Sequence, residues 1–306
     1  MGQGKVVVAG GTGFLGGEVV RQANAMGYDV VVLSRSGSPV EGAEVSRWDG
    51  KTVGDWAETL RGAEVVINLA GSPIAASWRG SRKQKLWSSR LEPTRAIGQA
   101  IAQSEHPPRA WVNVSGIGYY GDTGDEVVAE PSRKGAGEVA RLAADWERAM
   151  MDFDAPRTSR AQVRMGMILG KKGGAWPPLS RAARFGLGGP LGSGRQWQPW
   201  IHVEDAARML LWTGAERIDG PVNGVAPDLV RNADYMAAIR RAVGVNIGLP
   251  APGFALRILS AIMGWPSDFL TSGQKAKPEI ALFRGFDFRF PELASALADL
   301  TASRSR

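Results

Sequence analysis

The sequence contains no cysteine, and this absence removes several classes of chemistry at once. Without thiols the chain cannot form disulfides, thiolate metal sites, iron–sulfur clusters or a cysteine nucleophile. Histidine is scarce as well, because the two histidines, His106 and His202, are far apart and no H-E-x-x-H motif joins them. We therefore predict no metal site and expect the chemistry to come from other side chains.

Long runs of charge of one sign are also absent. The 37 lysines and arginines outnumber the 30 acidic residues, which gives a formal net charge of +7, but the basic residues are dispersed along the chain. Dispersed positive charge without a zinc-finger or RNP motif favours a phosphate-bearing small molecule as the ligand. We expect no nucleic-acid partner.

No segment has the length and apolarity of a membrane span. The most apolar late stretch, residues 254–265, contains Arg257 and is too short to cross a bilayer. The opening MGQGKVVVAGG lacks the basic and apolar regions of a signal peptide. These absences predict a cytoplasmic protein without a membrane partner.

The pattern that is present is an alternation of strand-like and helix-like segments, which is typical of a parallel sheet with crossover helices. We predict an α/β fold with a Rossmann-type doubly wound parallel sheet over residues 1–170, rejoined by about 200–230. Residues 171–306 are predicted to form a smaller C-terminal α+β substrate lobe, with a distinct unit at about 250–300. The predicted strands are 5–9, 29–33, 64–70, 110–115, 162–168, 221–225 and 286–290, and the predicted helices are 14–26, 55–60, 81–103, 137–151, 205–215, 233–243, 254–263, 278–283 and a last one through 300.

A glycine-rich segment lies directly between the first predicted strand and the first predicted helix. It reads Gly10-Gly11-Thr12-Gly13-Phe14-Leu15-Gly16. Glycines at these positions permit a tight turn, a close approach of the backbone to a pyrophosphate, and close packing of helix on strand. The helix start offers free N–H groups to phosphates, so the segment predicts a dinucleotide site.

The second predicted strand ends in Ser34-Arg35-Ser36 and not in an acidic residue. A carboxylate here would bind the ribose 2′-hydroxyl of NAD, whereas a guanidinium can bind a 2′-phosphate bidentately. Arg35 therefore predicts NADP as the cofactor, with a solvated loop arginine as the alternative. The third strand ends in Asn68-Leu69-Ala70-Gly71, where small residues would let the backbone pass beneath the riboses, unless the segment is only a turn.

With these features in register, the chain resembles the extended short-chain dehydrogenase/reductase superfamily. Further motifs make it similar to the atypical epimerase family proteins, a group related to NAD-dependent epimerases and dehydratases that carries a C-terminal domain of unknown function. The resemblance covers nearly the whole chain. Its motifs are Val66-Ile67-Asn68-Leu69-Ala70-Gly71, Ser89-Arg90, Gly118-Tyr119-Tyr120-Gly121, the glycine-rich run 186–197 and Trp200-Ile201-His202.

The resemblance implies a set of cofactor contacts along the crevice of the sheet. One of them, Arg90, would reach the pyrophosphate or the 2′-phosphate, although an ordinary solvated helix arginine fits the composition equally well. The implied contacts are Gly10, Thr12, Gly13, Phe14, Leu15, Ser34, Arg35, Leu69, Ala70, Gly71 and Arg90.

The catalytic residues depart from the pattern of the superfamily, which uses a serine, a tyrosine and a lysine four residues after the tyrosine. The chain has four tyrosines, and none has a lysine at that spacing. We predict Ser115, Tyr119 and Tyr120 as the catalytic candidates, because they follow the strand that ends at the crevice. In the alternative interpretation, the tyrosines only line the pocket and Ser115 caps the strand end.

Residues 176–200 combine arginine, tryptophan and glycine and resemble the region that closes over substrate in the superfamily. Arg195, Trp197 and Trp200 are predicted to bind an anionic, sugar-like or partly aromatic small molecule by charge-assisted bonds and stacking. A structural loop with tryptophans in the core is the alternative. His202 is expected to be structural, at a helix entrance where Asp205 is the natural N-cap.

Two functional hypotheses follow from these residues. In the first, the protein is an NADP-dependent oxidoreductase or nucleotide-sugar epimerase-like enzyme that acts on an unidentified anionic small molecule. In the second, it binds NADP without catalysis, as a sensor or interaction protein, because the Tyr-x-x-x-Lys pair is missing. The sequence is compatible with a monomer or a homodimer.

Overall fold

The protein is built on a seven-stranded sheet in which every strand pair is parallel. The computed structural model describes residues 3–267 and 269–302. The strands of this sheet are β1 (Lys5–Ala9), β2 (Asp29–Ser34), β3 (Glu44–Arg47), β4 (Val65–Asn68), β5 (Ala110–Gly116), β7 (Ser159–Met165) and β11 (Gly220–Gly224). The strand order is β11-β7-β5-β4-β1-β2-β3, so the chain reverses direction across the sheet between β1 and β4. The predicted Rossmann-type fold is confirmed, and its ligand crevice lies at this reversal.

Helices cover both faces of the sheet because its central strands are apolar on both sides. Val6 and Val8 pack under α1 and α5, whereas Val7 and Ala9 pack under α2 with Trp111. Residues 55–60, predicted as a helix, form a 3-10 helix. The helices of this part are α1 (Phe14–Ala25), α2 (Gly80–Gln103), α3 (Glu138–Met151) and α5 (Val203–Ala215).

Most of the remaining elements form a smaller lobe with its own core, whereas the helix at 279–283 packs on the core of the large sheet through Ala281. A three-stranded sheet has the order β10-β8-β9, and a two-stranded one pairs β12 with β6. The strands are β6 (Val127–Val128), β8 (Met167–Gly170), β9 (Gly173–Gly174), β10 (Trp200–His202) and β12 (Lys275–Ala276), and the helices are α4 (Trp176–Arg184), α6 (Asn232–Ala242), α7 (Gly253–Met263), α8 (Glu279–Phe283) and α9 (Leu293–Thr301).

Three sequence predictions of secondary structure were wrong or incomplete. The predicted strand 162–168 is two strands in different sheets, separated at Gly166, where a Cβ would come within 2.9 Å of the Pro199 carbonyl oxygen. The β3 strand was missed because its four residues form a half-exposed edge. Phe286, Phe288 and Phe290 form no strand, although Phe286 is buried and the two others are half-buried.

No described helix is both long and apolar enough to traverse a bilayer. Over residues 3–267 and 269–302, no group of three or more histidine, aspartate or glutamate side chains is arranged to hold a metal ion.

Candidate cofactor site and active site

The glycine loop between β1 and α1 forms a cradle at the crevice. Gly10 has a φ of 82°, in the left-handed region, and a Cβ there would lie 3.1 Å from the Leu69 carbonyl carbon and 3.2 Å from the Ala70 nitrogen. Only glycine fits this approach between the loops after β1 and β4. Gly13 is the N-cap of α1 and has no side chain to cap the helix, so backbone N–H groups of the first turn remain for a ligand. The loop fits a pyrophosphate.

Phe14 has a packing role that the sequence prediction did not contain. A Cβ on Gly173 would come within 2.6 Å of the ring, and Gly170 and Gly174 approach the same ring. The aromatic ring therefore anchors the start of α1 to the β8–β9 hairpin. Thr12 is exposed beside it, and Leu15 is half-buried.

Two arginines lie at neighbouring strand ends, where the ribose end of a dinucleotide would lie in this fold. Arg35 follows β2 and is exposed, and Arg47 ends β3 in register with Ser34. The Arg47 Cδ lies 3.7 Å from a Cβ built on Gly37, so this side chain covers the loop that carries Arg35. Within the described chain, neither guanidinium forms an ion pair. Sequence reasoning missed Arg47 because it missed β3.

Ser34 is buried at the same point, and its hydroxyl lies 3.2 Å from the Ser36 hydroxyl. This contact links the end of β2 to the loop that follows it. Asp49, the acidic residue that follows β3, accepts bonds from the backbone N–H groups of Lys51 and Thr52 at 2.8 and 2.9 Å. The Thr52 hydroxyl, which donates to the same carboxylate at 2.7 Å, and these backbone bonds lower the pKa of the Asp49 carboxyl to about 2.

Arg90 is not the solvated helix arginine that composition allowed. It is 7% exposed, and it donates to the carbonyls of Leu86 and Ser72, both at 2.9 Å. Its guanidinium lies 5.2 Å from the centroid of the Trp146 ring and packs beneath Gly71. Burial without an acidic partner lowers the pKa of Arg90 to about 10. Arg90 thus supports the loop after β4 from below.

A buried network joins two of the three predicted catalytic residues. The Ser115 hydroxyl donates to Glu147 Oε1 at 2.8 Å, and Arg164 grips both oxygens of Glu147 at 2.9 and 2.8 Å. Arg164 also donates to the Tyr120 hydroxyl at 2.8 Å. Burial alone would lower the pKa of Arg164, but the bonds and charge of Glu147 reverse this and raise it. The positively charged side chain beside Tyr120 is therefore Arg164 on β7, and not a lysine four residues after the tyrosine.

Tyr120 is fixed inside this network. It is 3% exposed, and its hydroxyl donates to Asn223 Oδ1 at 2.8 Å. Burial raises the pKa of the Tyr120 phenol, against the opposing effect of Arg164. The Tyr120 phenol thus donates one bond and accepts one inside a buried network, and its catalytic role stays a prediction.

Tyr119 differs from its neighbour. It is half-buried, its ring centroid lies 3.6 Å from the Arg164 guanidinium carbon, and its hydroxyl forms no hydrogen bond within the described chain. The adjacent helix α3 contains neither tyrosine nor lysine, and its buried residues are Ala140, Leu142, Ala143, Trp146, Ala149 and Met150. Tyr119 is thus the predicted candidate whose hydroxyl remains available to a substrate.

The predicted substrate residues separate in the structure. Trp200 is fully buried in the core of the lobe with its indole N–H unpaired, so its assignment to substrate is corrected to a packing role. The ring of Trp197 has Arg231 at 4.4 Å and Lys275 at 4.6 Å, and its N–H donates to Asp125 at 2.9 Å. These contacts fix Trp197 between charged groups of the lobe.

Arg195 is the exposed member of the predicted substrate set. Its backbone carbonyl accepts a bond from Arg231 at 2.6 Å, whereas its guanidinium has no carboxylate partner in the described part of the chain. Of the three predicted residues, Arg195 has the charge and the exposure that an anionic ligand needs.

His202 is structural, as expected, but the capping residue is different. The His202 side chain is itself the N-cap of α5 and accepts from the Glu204 backbone N–H at 3.3 Å. Asp205 is buried and accepts from the backbone N–H groups of Arg289 and Phe290. It therefore ties the segment after α8 to α5.

Comparison with known proteins agrees with this fold. The model of the NAD dependent epimerase/dehydratase family matches residues 6–147, and the model of a domain of unknown function (DUF1731) matches residues 251–300. The chain is 35% identical to "Epimerase family protein SDR39U1" of Mus musculus, over 97% of this chain and 100% of that protein. The chain belongs to these epimerase family proteins, within the extended short-chain dehydrogenase/reductase class.

Solved structures give the same result. A crystal structure of human epimerase family protein SDR39U1 with NADPH is 34% identical, with a TM-score of 0.87 over 97% of this chain and 99% of that chain. A nucleoside-diphosphate sugar epimerase from Corynebacterium glutamicum is 27% identical, with a TM-score of 0.77 over 97% of this chain and 58% of that chain.

Proposed function

We propose that this protein binds NADPH in the crevice at the carboxyl edge of the sheet. The observation that carries the proposal is the pair of unpaired arginines, Arg35 and Arg47, at adjacent strand ends. Two guanidinium groups without a competing ion pair suit a 2′-phosphate, which NADPH has and NADH lacks. The NADPH in the structure of the human relative supports the same choice.

The rest of the crevice supplies the remaining contacts of such a cofactor. The cradle at Gly10 and Gly13 with the start of α1 would receive the pyrophosphate. The riboses would lie against the loop of Leu69, Ala70 and Gly71, which packs on the Arg90 side chain. When bound, the nicotinamide supplies a hydride.

We propose further that the protein is an oxidoreductase for a small anionic substrate. Tyr119 has the available hydroxyl at this edge and would deliver a proton to the substrate oxygen. Ser115 is buried and donates its one hydroxyl proton to Glu147, so it would hold the neighbouring network in place without binding the substrate oxygen. The exposed Arg195 would bind the anionic group of the substrate.

A second function, NADPH binding without turnover, is favoured by one specific observation. Tyr120 and Ser115 are both engaged in the buried network of Arg164, and α3 has no tyrosine and lysine pair. In this case the network only stabilises the fold beside the cofactor, and the protein acts as a sensor or interaction protein that binds NADPH without oxidising it.

Calorimetric titration with NADPH and NADH tests the cofactor proposal. We expect wild type to bind NADPH at least tenfold more tightly than NADH. A tenfold ratio of Kd values corresponds to a difference of roughly 1.4 kcal/mol in binding free energy. Arg35→Ala and Arg47→Ala should each weaken NADPH and leave NADH unchanged. Arg61→Ala, which removes an exposed arginine paired with Glu58, is the matched control. Equal affinity for both nucleotides in wild type would contradict the proposal.

A turnover assay separates the two functions. NADPH oxidation is followed at the nicotinamide absorbance with small anionic carbonyl compounds and nucleotide sugars. Turnover that Tyr119→Phe abolishes, while the Kd for NADPH is unchanged, supports the oxidoreductase. If wild type and Tyr119→Phe bind NADPH equally and neither oxidises it with any compound, the non-catalytic function stands.

A further inference from the structure

A second basic cavity lies at the opposite edge of the sheet, at the amino ends of β5, β7 and β11. Its volume is about 690 Å³, and its lining includes Arg109, Arg157, Arg160 and Arg217. The single carboxylate in the lining belongs to Asp219. These residues lie before or at the first residues of β5, β7 and β11, at the edge of the sheet opposite the carboxyl ends that form the cofactor crevice.

Most of this positive charge is not neutralised by the protein. Asp219 Oδ1 accepts from the backbone N–H of Arg160 at 2.8 Å, and Arg109 pairs with Glu64 at 3.2 Å. The guanidinium groups of Arg157, Arg160 and Arg217 have no carboxylate within ion-pair distance in the part of the chain that the structure describes. The cavity therefore carries uncompensated positive charge in a concave site.

Two of these guanidinium groups are held in place by backbone carbonyls. Arg157 donates to Glu105 and Ser104 at 2.9 and 3.2 Å, and Arg160 donates to Phe153 at 2.7 Å. These bonds use part of each group and leave the other N–H donors available. Groups that are already ordered lose less conformational entropy when an anion binds them.

Arg217 occupies a backbone position that favours glycine. Its φ of 48° makes it the one non-glycine residue with positive φ among residues 3–267 and 269–302. The bonds from Arg217 N to Gly214 O and from Ile218 N to Thr213 O form a Schellman motif at the end of α5, in which Arg217 is the left-handed residue. Helix α7 ends instead on Gly264, with a φ of 73°.

Arg217 thus has a backbone conformation that arginine disfavours, and it lines a cavity where its charge adds to those of three other arginines. We propose that this arginine cavity, defined by Arg109, Arg157, Arg160 and Arg217, binds a small anion with two or more phosphate or carboxylate groups. Planar guanidinium groups bind both kinds of group bidentately, and the volume exceeds the need of one such group. The site is independent of the proposed cofactor crevice.

Calorimetry with pyrophosphate and with citrate, in a chloride buffer of fixed ionic strength, tests the proposal and distinguishes the two chemistries. Each titration is made with and without NADPH present, since pyrophosphate can also enter the glycine cradle. We expect one anion to bind with a Kd that NADPH does not change. Arg217→Gly should raise this Kd about tenfold by removing one charge-assisted contact, and Arg217→Lys should raise it less. Arg35→Ala, at the opposite edge, should leave it unchanged.

The same Arg217→Gly variant has a second readout. Because glycine adopts the left-handed conformation without strain, its midpoint of thermal unfolding should rise by about 2 °C in the absence of anions. A variant that is more stable and binds the anion less tightly supports the proposal. It is overturned if neither anion binds in the presence of NADPH, or if Arg217→Gly leaves the Kd measured with NADPH present unchanged.

Discussion

The buried pair of Glu147 and Arg164 offers a direct test of how the region beside the crevice is held together. The Arg164 side chain is 4% exposed and that of Glu147 is 12% exposed, with 2.8 Å between Nη2 and Oε2. Glu147→Gln keeps the size of the side chain but removes its charge. The Arg164 cation would then stay buried without a counter-charge, beside Tyr119 and Tyr120.

The expected loss is large because the partner cannot reach water. Breaking a buried ion pair by removal of one member destabilises a protein by roughly 3–5 kcal/mol. The matched change on the surface is Glu58→Gln, which removes the partner of Arg61 in a pair whose side chains are 74% and 53% exposed. An exposed pair contributes only about 0–1 kcal/mol. The two variants make the same chemical change and differ in burial.

The assay is urea unfolding followed by far-UV circular dichroism, with the free energy of unfolding extrapolated to water. The double variant Glu147→Gln with Arg164→Met should lose less stability than Glu147→Gln alone, because no charge stays buried. If Glu147→Gln lowers the free energy of unfolding by no more than Glu58→Gln does, the assignment of this pair as a buried structural pair is refuted.

Tyr120→Phe should lower the free energy of unfolding by about 1–2 kcal/mol, because Asn223 loses its hydrogen-bond donor. Calorimetry of the same variant should show an unchanged Kd for NADPH. Burial lowers the pKa of His202 below its ordinary value of 6.5, against the opposing effect of nearby carboxylates, so the unfolded state takes up the proton more readily. The free energy of unfolding should therefore fall as the pH drops below about 6.5, and His202→Asn, which keeps a cap, should flatten that slope in urea titrations made at each pH. Gly10→Ala should lower the free energy of unfolding by about 1–2 kcal/mol, because the φ of this residue is 82°, in the left-handed region. It should also abolish NADPH binding, because the added Cβ would push against the backbone at Ala70. Normal NADPH affinity in this variant would contradict the proposed pyrophosphate site at Gly10.

The sheet and its glycine loop could be predicted from sequence because their signals are local. The apolar run at β1 and the glycines that follow it determine both the strand and the turn. The alternation of Phe286, Phe288 and Phe290 misled the prediction, since alternate burial also arises where a chain runs extended over a core without a partner strand. A local sequence pattern indicates which side chains are buried, whereas strand pairing depends on segments that are distant in the sequence.

The interior of the candidate active site could not be predicted because its contacts join distant parts of the chain. Tyr120 meets Arg164 and Asn223, which lie 44 and 103 residues later in the sequence. A search for a lysine four residues after a tyrosine cannot find an arginine on another strand. The burial of Trp200 was likewise not visible, because a tryptophan in a glycine-rich run fits both a pocket wall and a core.

The two arginines on adjacent strand ends, Arg35 and Arg47, are proposed to select a cofactor with a 2′-phosphate. The most direct test is the ratio of the Kd values for NADH and NADPH in wild type and in the double variant Arg35→Ala with Arg47→Ala. We expect a ratio above ten in wild type and a ratio near one in the double variant, with the Kd for NADH unchanged. A ratio that the double substitution leaves intact would contradict it.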